Sequence, residues 1–423
     1  MIINIIDIQK IILLLFPIAL ITGPFIPEII ILSSLILYFF LTPNKEIYDD
    51  FNNKIFLFLA IFSLYIFIVG IISLASTKSL LTSIFFIRFP LFSIIVFKFI
   101  KNDNLFKQRY LYILLSIFIF FVIDSSVQSI FDKNIFGFKL IAGRVSSLFG
   151  DELILGSYIT KMSPILFGLL FCFKDKLNKI YFLIIPLSLL VVILSGERSS
   201  FITLSILILL ITIFTKFYKN YFISLFIILC LFLSLNSKAV QDRFVNDIKK
   251  KFVIYDNYLI PYEYAGFAIS SFEQFKKSPI IGNGVRSFRI NCKETLLDFK
   301  LPTQYQDILM QNHYKMIENI IKNGKCSTHP HNIFFEFIAE LGLLGLFFIF
   351  YKFIYIFKRL IKIIFYDKKI LNSQTISNLI FIISPFLIIY PFLPSGSFFN
   401  NWNLSVYFLN IAFFMYGISQ VRK

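Results

Sequence analysis

The feature that most constrains this chain is the recurrence of long apolar runs. They fall near residues 5–22, 25–41, 55–75, 79–99, 109–130, 152–173, 179–195, 199–215, 220–236, 333–356, 375–393 and 401–419. Crossing a bilayer takes roughly 20 consecutive apolar residues, and these runs approach or reach that length repeatedly. They are too uniformly apolar for the alternating pattern of barrel strands. In hydrocarbon only helices or closed barrels satisfy the backbone. The expected fold is therefore an all-α, polytopic transmembrane helical bundle of about twelve spans. The first run follows Lys10 and lacks a small-residue cleavage site with a soluble domain behind it, so it reads as a retained helix.

Charge agrees with this reading. Only 15% of the 423 residues are charged, against about 25% in a soluble domain. The net charge of +17 would suit nucleic acid if the basic residues shared a soluble face. They lie between apolar runs instead, so no nucleic acid is expected. Lys and Arg gather in alternate short loops: Lys45 and Lys54; Lys98, Lys101, Lys107 and Arg109; Lys174, Lys176 and Lys179; Lys216 and Lys219; Lys352, Lys358, Arg359, Lys362, Lys368 and Lys369. By the positive-inside rule these loops and both termini are cytoplasmic. Residues 1–236 then hold nine spans, 237–330 form one large, partly helical extracytoplasmic loop, and 331–423 hold three more spans. Aromatic residues such as Phe267, Phe272 and Phe275 have spacings suited to helices packed on the membrane face. Cys292 and Cys326 also lie in this loop, where the outer compartment permits a disulfide between them; the other reading is two free thiols.

Polar residues inside spans or at their outer ends are costly and so mark function. Arg88 interrupts the fourth run, Arg144 lies after the fifth, and Arg198 sits in the outer turn Ser195-Gly196-Glu197-Arg198. Arginine's planar fork matches phosphate oxygens. The competing readings are an ion pair to another helix for Arg88 and a turn residue reaching the headgroups for Arg198. His329 and His331 end the loop and suit acid–base or phosphate-binding work. No third metal ligand stands at a familiar spacing, so no metal is expected. Pro330 reads as the first helical residue, with Thr328 or His329 as cap. That geometry turns His329 away from His331. Asn332, Glu336 and Glu340 fall on one helical face, with Glu336 placed to fix an arginine or a histidine. Gly342 and Gly345 below it allow close helix contact. The turn Gly282-Asn283-Gly284-Val285-Arg286 lacks the Lys and Ser/Thr of a P-loop, and Arg286 is retained as a supporting residue.

These segments resemble the O-antigen ligase and O-antigen polymerase superfamily of bacterial membrane glycosyltransferases. His329 through Gly345, with its His-Asn pair and Glu340-Leu341-Gly342-x-x-Gly345, is similar to the family's carboxy-terminal signature. Ser195 through Ser199 resembles its mid-chain serine-glycine-arginine turn, and Ser278 through Gly284 its proline-to-glycine turn. Arg144 through Gly156 resembles its earlier region, but Asp151-Glu152 replaces an asparagine-rich core. The resemblance implies inverting, metal-independent transfer without a cofactor, on the outer face of a bacterial inner membrane. The donor would be a glycan on undecaprenyl diphosphate, and the acceptor a hydroxyl of lipid A-core or of a growing glycan. His331 would orient or deprotonate the acceptor, while Arg88, Arg198 and Arg144 hold the diphosphate. His329, Asn332, Glu336 and Arg286 would support them, and membrane lipids are a further expected partner of the protein.

Polymerase and protein O-oligosaccharyltransferase activities belong to the same superfamily. A transporter or flippase of lipid-linked sugars is the reading from another class, but the chain has no convincing internal repeat. Sidedness is directly testable. Single cysteines placed in residues 237–330 are expected to react with a membrane-impermeant maleimide added outside the cells. Labelling only from the cytoplasmic side would overturn the topology.

Overall fold

The computed structural model describes residues 5–73, 77–214, 252–255, 258–297, 327–366 and 372–421. The apolar run at 220–236, Cys230, Cys326 and much of the predicted outer loop lie outside these residues. The helices are α1 (Ile5–Leu14), α2 (Phe16–Ala19), α3 (Phe25–Leu41), α4 (Asn44–Phe51), α5 (Lys54–Ile72), α6 (Thr77–Ile84), α7 (Arg88–Asn102), α8 (Asn104–Phe131), α9 (Leu155–Cys172), α10 (Ile184–Leu194) and α11 (Arg198–Phe214). A hairpin follows, β1 (Phe252–Tyr255) antiparallel to β2 (Tyr258–Pro261). Then come α12 (Tyr262–Lys277), α13 (Phe288–Leu297), α14 (Ile333–Tyr366), α15 (Ser373–Ile388) and α16 (Asn401–Val421).

Each predicted apolar run within the described residues forms helix, which fits a multi-pass membrane protein. Among the described residues six helices are long and apolar enough to cross a membrane, or seven if the pair Ile5–Leu14 and Phe16–Thr22, bent by 42°, is one span. Four others, Phe25–Leu41, Lys179–Leu194, Arg198–Phe214 and Ser373–Ile388, are apolar but shorter.

A break in hydrocarbon frees backbone groups that need partners. At the bend between α1 and α2, the carbonyls of Pro17 and Leu20 accept from Tyr158 Oη at 2.9 Å and Trp402 Nε1 at 2.8 Å. At the 3₁₀ turn Phe85–Ile87, between α6 and α7, the Phe85 carbonyl accepts from Arg88 Nη1.

The largest break is at Gly342 within α14, where φ is 61° and ψ −159°. Here residues 279–284 insert against the open backbone. Asn283 N donates to Ala339 O (3.1 Å) and Gly284 N to Glu340 O (2.9 Å). In return Leu343 N reaches Pro279 O (2.9 Å) and Leu344 N reaches Ile280 O (3.1 Å). Asn283 Nδ2 adds a second bond to Ala339 O at 2.8 Å, and Tyr65 Oη of α5 donates to Leu341 O. Gly342 therefore serves a kink and a docked loop rather than the helix–helix contact predicted for it, while a Cβ at Gly345 would meet the Leu341 side chain of the same helix. A Cβ at Gly282 would lie 2.4 Å from Glu340 O, and one at Gly342 would lie 2.7 Å from Gly282 N. The docked loop sits about eight residues below the start of α14, or about 12 Å along a helix axis. Residues 279–284 thus reach into the helical bundle.

The kink can be tested against Gly137, which also has positive φ (88°) but nothing within 4 Å of the place a Cβ would occupy. Gly137→Ala carries only backbone strain, whereas Gly342→Ala and Gly282→Ala add steric overlap. The latter two are expected to melt lower than Gly137→Ala by an amount equivalent to about 1–3 kcal/mol. Thermal unfolding of the purified full-length variants in detergent makes the comparison.

Candidate functional site

The C-terminus of α10 and the N-termini of α9, α11, α14 and α16 meet at one end of the bundle, where polar side chains join their loops. α14 begins at Ile333 with Asn332 as its cap, since Asn332 Oδ1 accepts from Phe335 N at 3.1 Å. This corrects the predicted start at Pro330. Asn332 Nδ2 also holds Pro391 O at 2.8 Å, and His331 O accepts from Ser395 N at 2.8 Å. His331 itself has φ of 53°, a left-handed conformation uncommon outside glycine. Its Nε2 shares a hydrogen bond with Ser327 Oγ at 2.9 Å. The ring lies 5.2 Å from that of Phe267 on α12, centroid to centroid.

The two histidines are not turned apart as the capping argument predicted. Their ring centroids are 4.1 Å apart. Moving the cap to Asn332 leaves Ser327–His331 free to fold back on itself. Burial, then the neighbouring His331, pushes the His329 pKa down to about 4. Burial also lowers that of His331. Both are therefore neutral at pH 7, the form of imidazole able to accept a proton.

Glu336 and Glu340, one turn apart on α14, each tie down a different loop. Glu336 Oε2 accepts from Phe398 N at 2.8 Å, and its Oε1 accepts from Ser397 Oγ. Glu340 accepts from Arg286 N at 2.7 Å and Phe288 N at 3.2 Å. Arg286 (φ 60°) then spans the two loops, with Nε and Nη2 donating to Phe399 O at 3.0 and 2.7 Å. Burial and the nearby Arg289 lower its pKa, Glu340 and Glu336 oppose that, and Arg88 adds to the repulsion. Arg286, Arg289 and Arg88 thus share one electrostatic neighbourhood, and Arg289 also acts on His329.

Arg88 has a carboxylate partner. Its Nε and Nη2 meet Glu28 of α3 at 2.8 and 3.0 Å, and its guanidinium lies 4.3 Å from the Phe89 ring centroid. Of the two sequence readings, the interhelical ion pair is the one observed. Arg144 is likewise engaged, with Nε on Ser195 O at 2.7 Å and Nη2 near Leu153 O at 3.5 Å. Its loop is anchored by Asp124 and Gln128, buried near the end of α8. Asp124 accepts from Asn134 Nδ2, Ile135 N and Ser147 Oγ, and Gln128 Oε1 accepts from Ser146 N and Ser147 N.

Arg198 opens α11, half-buried, beside Glu197. Glu197 accepts from Gly156 N at 2.8 Å and Ser200 Oγ at 3.0 Å. Burial raises its pKa, while Ser200, Arg144, Gly156 and Lys161 hold it down. Lys161 of α9 donates to Asn403 Oδ1 at 2.6 Å, and Asn403 Nδ2 donates to Ser397 O at 2.7 Å. Ser397 returns to Glu336. A contiguous polar belt therefore runs from the Arg144–Glu197 corner to Glu336 and on to Arg286.

Several members of the belt were not singled out from sequence. Lys161 is a lone charge in an apolar run and satisfies the criterion that drew attention to Arg88. Asn403 and Ser397 carry no comparable signal, because their role depends on the fold. Arg289 had a local cue in its spacing three residues from Arg286. Cys292 is disulfide-bonded, while Cys326 lies outside the described residues.

Residues 183–350 match the O-antigen ligase family. The matched stretch holds Arg198, Arg286, Arg289, both histidines, Glu336, Glu340 and the Gly342 kink, while Arg88, Arg144 and Asn403 fall outside it. No curated protein matches the chain.

The depressed histidine pKa gives a stability prediction. Unfolded, His329 titrates near about 6.5; folded, it does so near about 4. Between these values the unfolded chain binds a proton that the folded one does not, so stability falls as pH drops through this window. The melting temperature is expected to decline from pH 6.5 towards 4, with a shallower decline in His329→Gln. An unchanged acid slope in that variant would remove His329 as the cause.

Proposed function

We propose that this chain, whose residues 183–350 support membership of the O-antigen ligase/polymerase superfamily, is an inverting, metal-independent glycosyltransferase of the ligase type. It moves a glycan from undecaprenyl diphosphate to an acceptor hydroxyl at the outer face of a bacterial inner membrane. The observation that carries the reading is the convergence of a half-buried pair of histidines, lowered in pKa, with Arg289 in the first turn of α13 and Arg286 on the loop before it, which Glu340 fixes.

In this reading His331 takes the proton of the acceptor hydroxyl as its oxygen attacks the anomeric carbon. The bond from that carbon to the diphosphate oxygen breaks, and the electron pair leaves with undecaprenyl diphosphate. Attack from the opposite face inverts the anomeric centre. Arg198 and Arg289 meet the diphosphate. Arg88 and Arg144, held by Glu28 and by backbone carbonyls, add positive field and set their segments. His329 holds the turn, and Asn332 fixes the start of the helix.

Reconstitution with a defined undecaprenyl-diphosphate glycan and a hydroxyl acceptor tests this. Released undecaprenyl diphosphate together with glycosylated acceptor is expected; donor translocation without release would make the chain a transporter instead. Lipid A-core as productive acceptor supports the ligase assignment, whereas chain extension or protein glycosylation alone would replace it. His331→Ala is expected to lose about 10²–10⁴-fold in turnover while retaining donor binding. Arg198→Ala should lose donor affinity as well as rate, with incomplete rescue by Arg198→Lys because an ammonium lacks the planar fork. Near-normal turnover in His331→Ala would eliminate the histidine-base mechanism.

A further inference from the structure

At the end of α5 and α14 opposite the histidines, a cavity of about 150 Å³ opens between α5, α14 and α16. Its walls are mostly apolar, including Ile55, Phe58, Ile411 and Phe414. Phe58 and Leu59 also line a second, smaller cavity of about 30 Å³ that is almost wholly lined by apolar and aromatic side chains. Lys352 of α14 lines both.

Lys352 is 9% exposed, and its Nζ has no hydrogen-bond partner among the described residues. The nearest compensation is the face of Tyr407, 4.2 Å from Nζ to ring centroid. A lysine on a membrane helix ordinarily extends its stem so that the ammonium reaches the polar interface. This one turns into the bundle instead. A ring face compensates an ammonium less completely than an anionic oxygen does. Lys54, exposed at the first turn of α5, lines the mouth of the same cavity. No acidic side chain lines either cavity among the described residues.

We infer that this cavity binds an anionic phospholipid from the leaflet at the Lys54 end. Its phosphate lies between Lys54 and Lys352, and an acyl chain runs past Phe58 towards the second cavity. Two ammonium groups in an otherwise apolar slot complement a phosphate joined to hydrocarbon. The flanking side chains Tyr351 and Ile354 are 50% and 54% exposed, so the mouth adjoins the surface that faces lipid. A free inorganic anion would have to cross that apolar surface alone; a lipid brings its own hydrocarbon. The bound lipid would fill the gap between α5 and α16 and supply the oxygen that Lys352 lacks. This site is separate from the polar belt, and its existence does not depend on the transfer reaction.

Native mass spectrometry of the detergent-solubilised full-length protein tests the inference, with phosphatidylglycerol and phosphatidylcholine of the same acyl chains as probes. The wild type is expected to retain phosphatidylglycerol about tenfold more strongly, equivalent to about 1.4 kcal/mol. Lys352→Met should bring the preference close to parity while the protein remains folded, because it replaces a buried ammonium with an apolar side chain of similar length. Lys54→Met should weaken the preference by a smaller factor. Equal retention by the wild type, or undiminished preference in Lys352→Met, would overturn the proposal. Displacement of the lipid by millimolar inorganic phosphate would also overturn it, by showing a site for free anions.

Discussion

The arrangement of this protein depends on how it bonds the backbone groups released where its apolar helices break. Hydrocarbon supplies no hydrogen bonds, so each break needs a donor or acceptor from elsewhere in the chain. Tyr158 and Trp402 bond the carbonyls at the bend near the amino terminus, and Arg88 bonds the one at Phe85. Tyr65 and the backbone of 279–284 bond those at Gly342. These contacts link α9 and α16 to the first helices, and α5 and residues 279–284 to α14. Long-range organisation is thus specified where regular secondary structure fails.

The same region positions the polar chemistry. Below Asn332, Glu336 and Glu340 follow at the helical repeat and face two loops that are distant in sequence. Each carboxylate accepts from two donors, which limits where its loop can sit. Arg286 then joins those loops through the Phe399 carbonyl. The acidic residues do more than neutralise cations: they determine which cations are near the histidines. A change at Glu340 would move Arg286 and Phe288 together, because both backbone amides rest on it.

Much of this was legible in sequence, and the failures have identifiable causes. Apolar runs located helices because burial and lipid exposure both require apolar side chains. They did not reveal where a helix bends or breaks, since hydropathy records the composition of a run but not a break within it. Arg88 was correctly recognised as unusual, yet its partner, Glu28, lies on another helix and leaves no local trace. The capping argument failed because it weighed Pro330 over Asn332, and two adjacent favourable start positions cannot be separated without knowing that Asn332 also holds Pro391. Gly342 matched a helix-packing pattern with Gly345, but the positive φ that Gly342 adopts is invisible in a list of glycines. Lys161 met the criterion of a lone charge in an apolar run, whereas Asn403 and Ser397 gain their roles only through the assembled bundle.

The docking of 279–284 against Gly342 also bears on the order of biosynthesis. The loop is translated before α14, and it must already be on the correct side of the bilayer when the broken helix arrives. Until they meet, the helix carries exposed amides and carbonyls near its middle. Lateral release of α14 into lipid is therefore favourable only in company with the preceding loop and with Tyr65 of a much earlier helix. A delay in placing that loop would leave the later helix without its partners, so this junction makes integration of the carboxy-terminal helices depend on the segment that precedes them.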